Sequence, residues 1–163
     1  MHDIHPAAPT LVVLDPTGVI GQVQWATIET IAKWRTEIFL NFPYHMAVQR
    51  LLPNQHEKLT DEMAKKLDDH LPPGWRSVYD QCVGTDRRFL ARGFLELYRK
   101  GLQELGYTYV FGSSVFKTDA GLPLYYLIWA GRHQVGANIA KHVLFKQFDP
   151  QIRLLAPEDD WLA

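Results

Sequence analysis

The stretch TLVVLDPTGVIGQVQW, residues 10–25, decides the fold of this chain. It opens with an unbroken apolar run, Leu11 to Leu14, which is rich in valine and stops at Asp15-Pro16. A run without alternation between apolar and polar residues is typical of a parallel strand that is covered on both faces. We therefore expect a buried strand here, followed by a loop that contains two glycines.

A short helix and a second strand follow this loop. Apolar residues recur at helical spacing over residues 25–34, and EIFLNF, residues 37–42, has the composition of a strand that Pro43 closes. A strand, a helix and a strand with short connections form a βαβ unit, whose crossover is right-handed in nearly every known case. The two strands of this unit are thus predicted to be parallel neighbours.

The middle of the chain is predicted to be helical. Residues 54–70 are polar, carry charges of both signs and indicate an exposed helix, which a Pro-Pro-Gly sequence ends. The longest helical apolar stripe lies within residues 87–105. Thr85 or Asp86 is placed to cap the start of this helix, and Gly106 is placed to end it.

The last third of the chain predicts a hairpin and a final helix. Residues 107–116 and 124–130 are rich in aromatic and β-branched residues and flank a turn-rich connector, which indicates an antiparallel pair. The second of these strands is apolar throughout, so we expect it inside the sheet. Residues 134–147 predict a helix. Three apolar residues share one face of that helix: Val135, Ile139 and Val143.

These elements predict an α/β fold, in which helices flank a mixed, mostly parallel sheet. A length of 163 residues, with 47% hydrophobic residues, suits a single domain with an extended tail at 149–163. A net charge of −1 gives no long-range attraction to nucleic acid, and no apolar run approaches the roughly 20 residues that span a bilayer. With one cysteine and no signal peptide, we expect a cytoplasmic protein. None of the seven histidines forms an H-x-x-x-H pair, so no metal site is predicted.

Five blocks of sequence, taken together in their order, resemble one known family. They cover most of residues 11–145 and are LVVLDPTGV (11–19), WATIETIAK (25–33), NFP (41–43), FLELYRKGLQELGY (94–107) and GLPLYYLIWAGRH (121–133). The order of elements is similar to the second half of a class I, S-adenosylmethionine-dependent methyltransferase fold, which is Rossmann-like. More specifically, the chain resembles the three-Cys-motif partner family, TcmP.

The resemblance implies a partner protein that works beside a cysteine-motif protein. Full-length members of the family begin with a glycine-rich segment that corresponds to the cofactor loop of a methyltransferase, and this chain starts after the point where it would lie. Because no G-x-G-x-x-G is present, we expect no cofactor on this chain alone, and S-adenosylmethionine only if a missing N-terminal half is supplied. The chain is therefore expected to be inactive by itself.

The alternative is a methyltransferase that an N-terminal segment or a second chain completes, acting on nucleic acid. Thr17 argues against base methylation even then, because relatives carry an aromatic residue after the Asp-Pro pair that stacks on the flipped base. The near-neutral charge of the chain gives no independent support for a nucleic-acid partner.

Asp15, Pro16 and Asn41 are the candidate catalytic residues. They lie where two predicted parallel strands end, which is the edge at which open α/β sheets bind ligands. On the functional interpretation, Asp15 accepts a hydrogen bond from a substrate amino group and Asn41 joins it across the crevice. On the structural interpretation, which we favour for this chain alone, Asp15 caps the loop, Pro16 ends the strand and Asn41 forms a turn.

The strand at 11–14 also predicts a partner. In the complete fold it lies between two neighbours, whereas this chain supplies one, the strand at 37–42. An apolar edge strand exposes unpaired amides and carries no charge to deter pairing. We therefore predict a homodimer, or a separate protein that covers strand 11–14, rather than a free monomer. The family resemblance implies a cysteine-motif protein in that role, and the chain's own apolar tail, with Leu154, Leu155 and Trp161, is a third possible cover.

Overall fold

A computed structural model describes residues 9–16, 23–117 and 123–146 of the chain. Its strands are β1 (Thr10–Leu14), β2 (Thr36–Phe42), β3 (Tyr109–Lys117) and β4 (Pro123–Gly131). They form one sheet in the order β1-β2-β4-β3. Strands β1 and β2 are parallel, and β4 is antiparallel to both of its neighbours.

The helices of the described ranges surround this sheet. They are α1 (Trp25–Ala32), α2 (Gln49–Leu51), α3 (Asp61–His70), α4 (Trp75–Cys82), α5 (Arg87–Glu104) and α6 (Gln134–Lys146). A π-helical turn, Tyr44–Val48, leads from β2 into α2, and a 3-10 turn covers His56–Lys58. In the part of the chain that the structure describes, no helix has the length and apolar character needed to cross a bilayer.

The predicted α/β class is confirmed, with a parallel βαβ start and a C-terminal antiparallel hairpin. The apolar strand β4 lies inside the sheet, as expected. The parallel share of the sheet is smaller than predicted, because β4 inserts between β2 and β3 and is antiparallel to both. Residues 17–22 of the predicted loop, with Thr17, and the tail at 149–163 lie outside the described residues.

The ends of α5 are fixed by the two signals that the sequence offers. The Asp86 carboxylate accepts a hydrogen bond from the backbone N–H of Arg88 at 2.9 Å, which caps the helix. Gly106 follows the last turn with φ of +90°, a left-handed conformation that glycine adopts without steric strain. Both predictions for this helix are therefore confirmed.

Two features of the middle segment differ from the predictions. Helix α4 was not expected, because two buried residues one turn apart, Trp75 and Tyr79, are too short a pattern to indicate a helix. The polar segment 54–70 is also not wholly exposed: within α3, Ala64 and Leu67 are buried against the core. One narrow apolar stripe is enough to dock an otherwise charged helix.

One face of the sheet is covered by α1 and α5. Three apolar side chains of β2 point to this face and are buried: Ile38, Leu40 and Phe42. Tyr98 of α5 packs against Phe42 with ring centroids 4.4 Å apart, and against Trp25 of α1 at 5.6 Å in an edge-to-face arrangement. This large aromatic cluster is the main core of the fold. We call this side the covered face.

Arg132, which directly follows β4, fastens two helix ends to the sheet. Its guanidinium donates hydrogen bonds of 2.7–3.3 Å to the carbonyl groups of Ala32, Trp34, Thr36 and Leu105. It also lies over the ring of Tyr107, 4.3 Å from the centroid. These carbonyls belong to the C-terminal ends of α1 and α5 and to the start of β2, so one cation satisfies acceptors that would otherwise lack partners.

The opposite face of the sheet is covered by α6 over β3 and β4. Ala137 and Leu144 of the helix are buried there against Phe111, Leu127 and Trp129. The Glu37 carboxylate of β2 lies against the backbone of α6 at Gly136, where a methyl group would overlap it. We call this side the half-covered face, because the cover ends before β1.

Strand β1 is not covered on both faces, which corrects the prediction for residues 11–14. Its burial alternates: Val12 and Leu14 pack against the core of the covered face, whereas Leu11 is 57% and Val13 63% exposed. The apolar composition of a strand does not show whether other elements pack on both of its faces, and in the described part of the fold they pack on only one face of β1.

The apolar stripe predicted for the last helix is present, and it does not face the core. Val135, Ile139 and Val143 share one side of α6 as predicted, but they are 70%, 61% and 43% exposed. The helix packs through its alanines and Leu144 instead, because small side chains allow a close approach to the bulky Trp129.

Candidate functional site

Asp15 and Asn41 meet at the carboxyl ends of the parallel pair. The Asn41 side-chain amide donates a hydrogen bond of 2.8 Å to Asp15 Oδ1. Asp15 directly follows β1, Asn41 is the second-last residue of β2, and Pro16, the residue after Asp15, is buried. The functional interpretation placed Asn41 against Asp15 across the two strands, and the structure brings the two side chains together. Asn41 lies within β2 and not in the turn that the structural interpretation expected.

The environment of this pair favours hydrogen-bond donors as ligands. The Asp15 carboxylate is exposed, and Asn41 Oδ1 is buried without a hydrogen-bond partner among the described residues. Two neighbouring oxygen acceptors of this kind fit an amino or guanidinium group. Nearby on β4, burial raises the pKa of the Tyr125 hydroxyl, and the negative charge of Asp15 raises it further.

A second pair of polar groups, two tyrosine hydroxyls, lies on the covered face, and no sequence pattern predicted it. Tyr44 and Tyr126 are fully buried with ring centroids 6.0 Å apart, and neither hydroxyl has a hydrogen-bond partner in the described part of the chain. Burial raises the pKa of both hydroxyls, so they are neutral. Tyr44 begins the π-helical turn, a feature that often marks functional positions. The aromatic residue after Pro43 was the available signal.

An uncovered apolar surface runs along the half-covered face from the sheet edge that carries Asp15 and Asn41. Strand register places Val13 beside Phe39, Phe39 beside Trp129 and Trp129 beside Phe111, so one apolar row crosses all four strands. Trp129 and Phe111 are buried under α6 and stack with centroids 5.5 Å apart. Phe39 is half-buried and Val13 is mostly exposed. The cover is therefore lost gradually from β3 to β1.

We call the surface over β1 and β2 the open trough, with Leu11, Val13 and Phe39 as its floor. The exposed side of α6, with Val135, Ile139 and Val143, is called the α6 stripe. At 100° per residue it lies opposite Ala137 and Leu144, which pack on the sheet, so the stripe projects outward from the half-covered face. Two strands span about 10 Å, which is the width of one helix.

A cleft of about 350 Å³ lies at the end of the open trough opposite Asp15. Its walls include Leu11, Arg35, Glu37 and His133, where β1 and β2 begin and α6 starts. Arg132 also lines it, but the carbonyl contacts already described occupy its guanidinium. The cleft therefore extends the trough and adds one exposed cation, Arg35, and one carboxylate to it.

The remaining sequence candidates are not assembled into sites. The histidines, acids and cysteine of the described ranges form no cluster that is able to hold a metal ion. Cys82 is a half-buried free thiol whose pKa is raised by burial, which lowers the reactivity expected of it. His133 precedes α6, and its carbonyl accepts a hydrogen bond of 3.0 Å from the N–H of Ala137.

The geometry defines an α/β protein with a mixed sheet, a polar pair at one sheet edge and an apolar surface beside it. No family model, curated protein or solved structure matches the chain.

Proposed function

We propose that this chain is an interaction protein of the three-Cys-motif partner type, methyltransferase-like in fold and inactive in methyl transfer on its own. The observation that carries the proposal is the uncovered half of the sheet. Among the described residues β1 pairs with β2 alone, and the outward side chains Leu11 and Val13 are mostly exposed. Exposed apolar surface next to an open strand edge marks a binding surface.

The backbone of β1 is suited to receive a strand from another chain. The N–H of Thr10 donates to the Arg35 carbonyl at 3.3 Å, so the even-numbered residues of β1 bond toward β2. By alternation, the amides of Leu11 and Val13 face the open edge. The strand contains no charge and no proline, which are the usual means of blocking edge pairing. An extended segment of a partner is thus able to continue the sheet.

A direct binding measurement tests this proposal. The chain is mixed with a purified cysteine-motif protein, and the mass of the mixture is measured by light scattering. A stable heteromeric complex is expected. Leu11→Pro, which removes one outward N–H of the edge, is expected to weaken the complex about tenfold or more, because a lost hydrogen bond and a strained strand both oppose strand addition. Leu11→Thr, which keeps the strand, is the matched control.

The absence of any heteromeric mass at micromolar concentrations would contradict the proposal. Titration with S-adenosylmethionine by calorimetry gives a second readout, for which no heat is expected from this chain alone. A strong exothermic signal would show that the chain binds the cofactor without help and would move it to the class of enzymes.

One observation favours a second candidate, a methyltransferase completed by another polypeptide. The hydrogen bond between Asn41 and Asp15 brings two acceptors to the sheet edge where α/β enzymes bind substrates. In that candidate, Asp15 and Asn41 hold the amino group that receives the methyl group. It predicts that adding a chain with a strand, a G-x-G-x-x-G loop and a helix restores cofactor binding and methyl transfer, and that Asp15→Ala abolishes only the transfer.

A further inference from the structure

The half-covered face carries a ridge and a trough of equal width, side by side. The ridge is α6, which covers β3 and β4, and the open trough is the surface of β1 and β2 that α6 leaves uncovered. A helix and a pair of strands both measure about 10 Å across. Both surfaces expose apolar side chains, the α6 stripe on the ridge and Leu11 and Val13 in the trough, and the border between ridge and trough runs parallel to the strands.

A two-fold axis that runs parallel to the strands, along this border, places the ridge of one copy in the trough of another. Rotation about this axis leaves the position of each residue along the strand direction, its height, unchanged. The heights therefore decide which residues of the two copies face each other. Leu11 pairs with Glu37, and Glu37 contacts the backbone of α6 at Gly136, so these three residues share one height. Val135 of a second copy therefore comes over the Leu11 row, and Ile139 over the Val13 row.

The spacing of the stripe residues along α6 matches the spacing of the exposed residues along β1. Four residues of helix rise about 6.0 Å, and two residues of strand rise about 6.7 Å. Successive residues of the α6 stripe are four apart, and the exposed residues of β1 are two apart. The stripe residues of one copy thus stay above the exposed floor residues of the other.

The charges of the two surfaces are complementary as well. The trough carries the Glu37 carboxylate near one end and the exposed Asp15 carboxylate at the other. Helix α6 contains lysines and a histidine and no acidic residue. His142 is exposed on it beside Val143 of the α6 stripe, toward the end that approaches Asp15 of a second copy. Because α6 brings no carboxylate against Glu37 or Asp15 and apolar side chains lie between them, this register contains no repulsion between acids.

We propose that a second copy of this chain docks on the half-covered face, with α6 of each copy seated in the open trough of the other. The inference names one partner for the uncovered half of the sheet on which the proposed function rests, and it leaves the edge of β1 free for another. Helix α6 has 13 residues and is about 20 Å long. A contact of about 20 by 20 Å falls in the smaller, transient class of interfaces, so we expect a dissociation constant of about 1–100 μM.

Sedimentation velocity from about 1 to about 200 μM tests this, with an expected shift from monomer to dimer. Val13→Lys in the trough and Ile139→Glu on the ridge are each expected to weaken dimerisation at least tenfold, because each places an unpaired charge in an apolar contact. The matched control is Phe89→Lys. Phe89 is as exposed as Ile139, 61% for each, but it lies at the start of α5 on the other face. This variant is expected to dimerise normally.

Mixing the Val13→Lys and Ile139→Glu variants is the decisive step. In the proposed register residue 139 of one copy lies over residue 13 of the other, so a mixture is expected to form heterodimers that neither variant forms as a homodimer. A chain that stays monomeric throughout the concentration range would overturn the inference. So would a dimer that Val13→Lys disrupts and Ile139→Glu does not, since that pattern is typical of pairing between β1 edges.

These outcomes are separate from those of the proposed function. A monomeric chain that still forms a complex with a cysteine-motif protein overturns only the self-association. A dimer that binds no such protein overturns only the partner role. Circular dichroism of each variant shows that the fold is retained, which is expected because all three substituted positions are exposed.

Discussion

The two faces of the sheet have similar apolar rows and very different cover. On the covered face, α1, α5 and the aromatic cluster around Tyr98 leave β2 side chains such as Leu40 nearly inaccessible. On the half-covered face, α6 shields Trp129, while Val13 in the same row of side chains is 63% exposed. The residues of β1 therefore have equal hydropathy and unequal environments.

This difference shows which surface carries stability and which is available for binding. Burying an apolar side chain fully stabilises a protein by about 1.5–3 kcal/mol, and a residue that is mostly exposed in the single chain contributes much less of this. The remainder becomes available when another molecule covers the residue. We therefore expect the covered face to supply most of the folding stability, whereas the proposed association uses the half-covered face.

The largest expected effect comes from replacing the same residue type on the two faces. Leu102→Ala is expected to lower the free energy of unfolding by about 2–5 kcal/mol, because it leaves a cavity in the core. Leu11→Ala is expected to cost less than about 1 kcal/mol, because this leucine is 57% exposed. Urea unfolding of dilute protein measures both. Equal costs would show that β1 is covered on its outer face and would remove the basis of the comparison.

A smaller loss is expected from the arginine that joins the helix ends to the sheet. Arg132→Met removes the donors to four carbonyls and is expected to lower the free energy of unfolding by about 2 kcal/mol. Arg76→Met is the control. Arg76 lies 4.6 Å from the Trp75 ring centroid and pairs with Asp68, but on the exposed surface, so a change of about 0–1 kcal/mol is expected. Thermal unfolding of the two variants decides between a structural clamp and a surface contact.

Two buried tyrosines on the covered face sharpen the comparison further. The Tyr107 hydroxyl and Thr36 Oγ1 are 3.0 Å apart, so Tyr107→Phe is expected to destabilise the chain by about 1 kcal/mol. The Tyr126 hydroxyl is buried without a partner among the described residues, so Tyr126→Phe is expected to be neutral or stabilising by up to about 1 kcal/mol. Chemical unfolding of both variants measures this. A destabilising Tyr126→Phe would show that a water molecule or a ligand satisfies this hydroxyl.

The smallest effect concerns acid stability at the start of α5. Hydrogen bonds from Arg88 lower the pKa of the Asp86 carboxyl, so its charged form stabilises the folded state. This contribution is present above the unfolded-state pKa of about 3.9 and is lost as the pH falls through the lower folded-state value. Asp86→Asn keeps the cap and removes the charge. The melting temperatures of the two proteins are expected to differ near pH 6 and to converge in strong acid, and a constant difference would contradict this.

The sequence predicted the elements of this fold well where a local signal was strong. The βαβ start, the hairpin and the cap and glycine of α5 each depend on residues close together in the chain. The sequence also placed Asp15 and Asn41 at the same sheet edge, because parallel strands end together, and their contact was one of the two interpretations it offered. The pair Tyr44 and Tyr126 was missed, since it joins residues from distant segments whose polar atoms no local pattern brings together.

The sequence by itself determined the α/β class, the parallel pairing of β1 with β2 and the interior place of β4, because apolar period and turn residues act over a few positions. Only the tertiary structure decided which apolar residues are covered. Val135, Ile139 and Val143 form a regular helical stripe, and yet α6 packs through its small residues. Hydropathy records that a side chain gains from burial, whereas the elements packed beside it decide whether this chain or another molecule provides that burial.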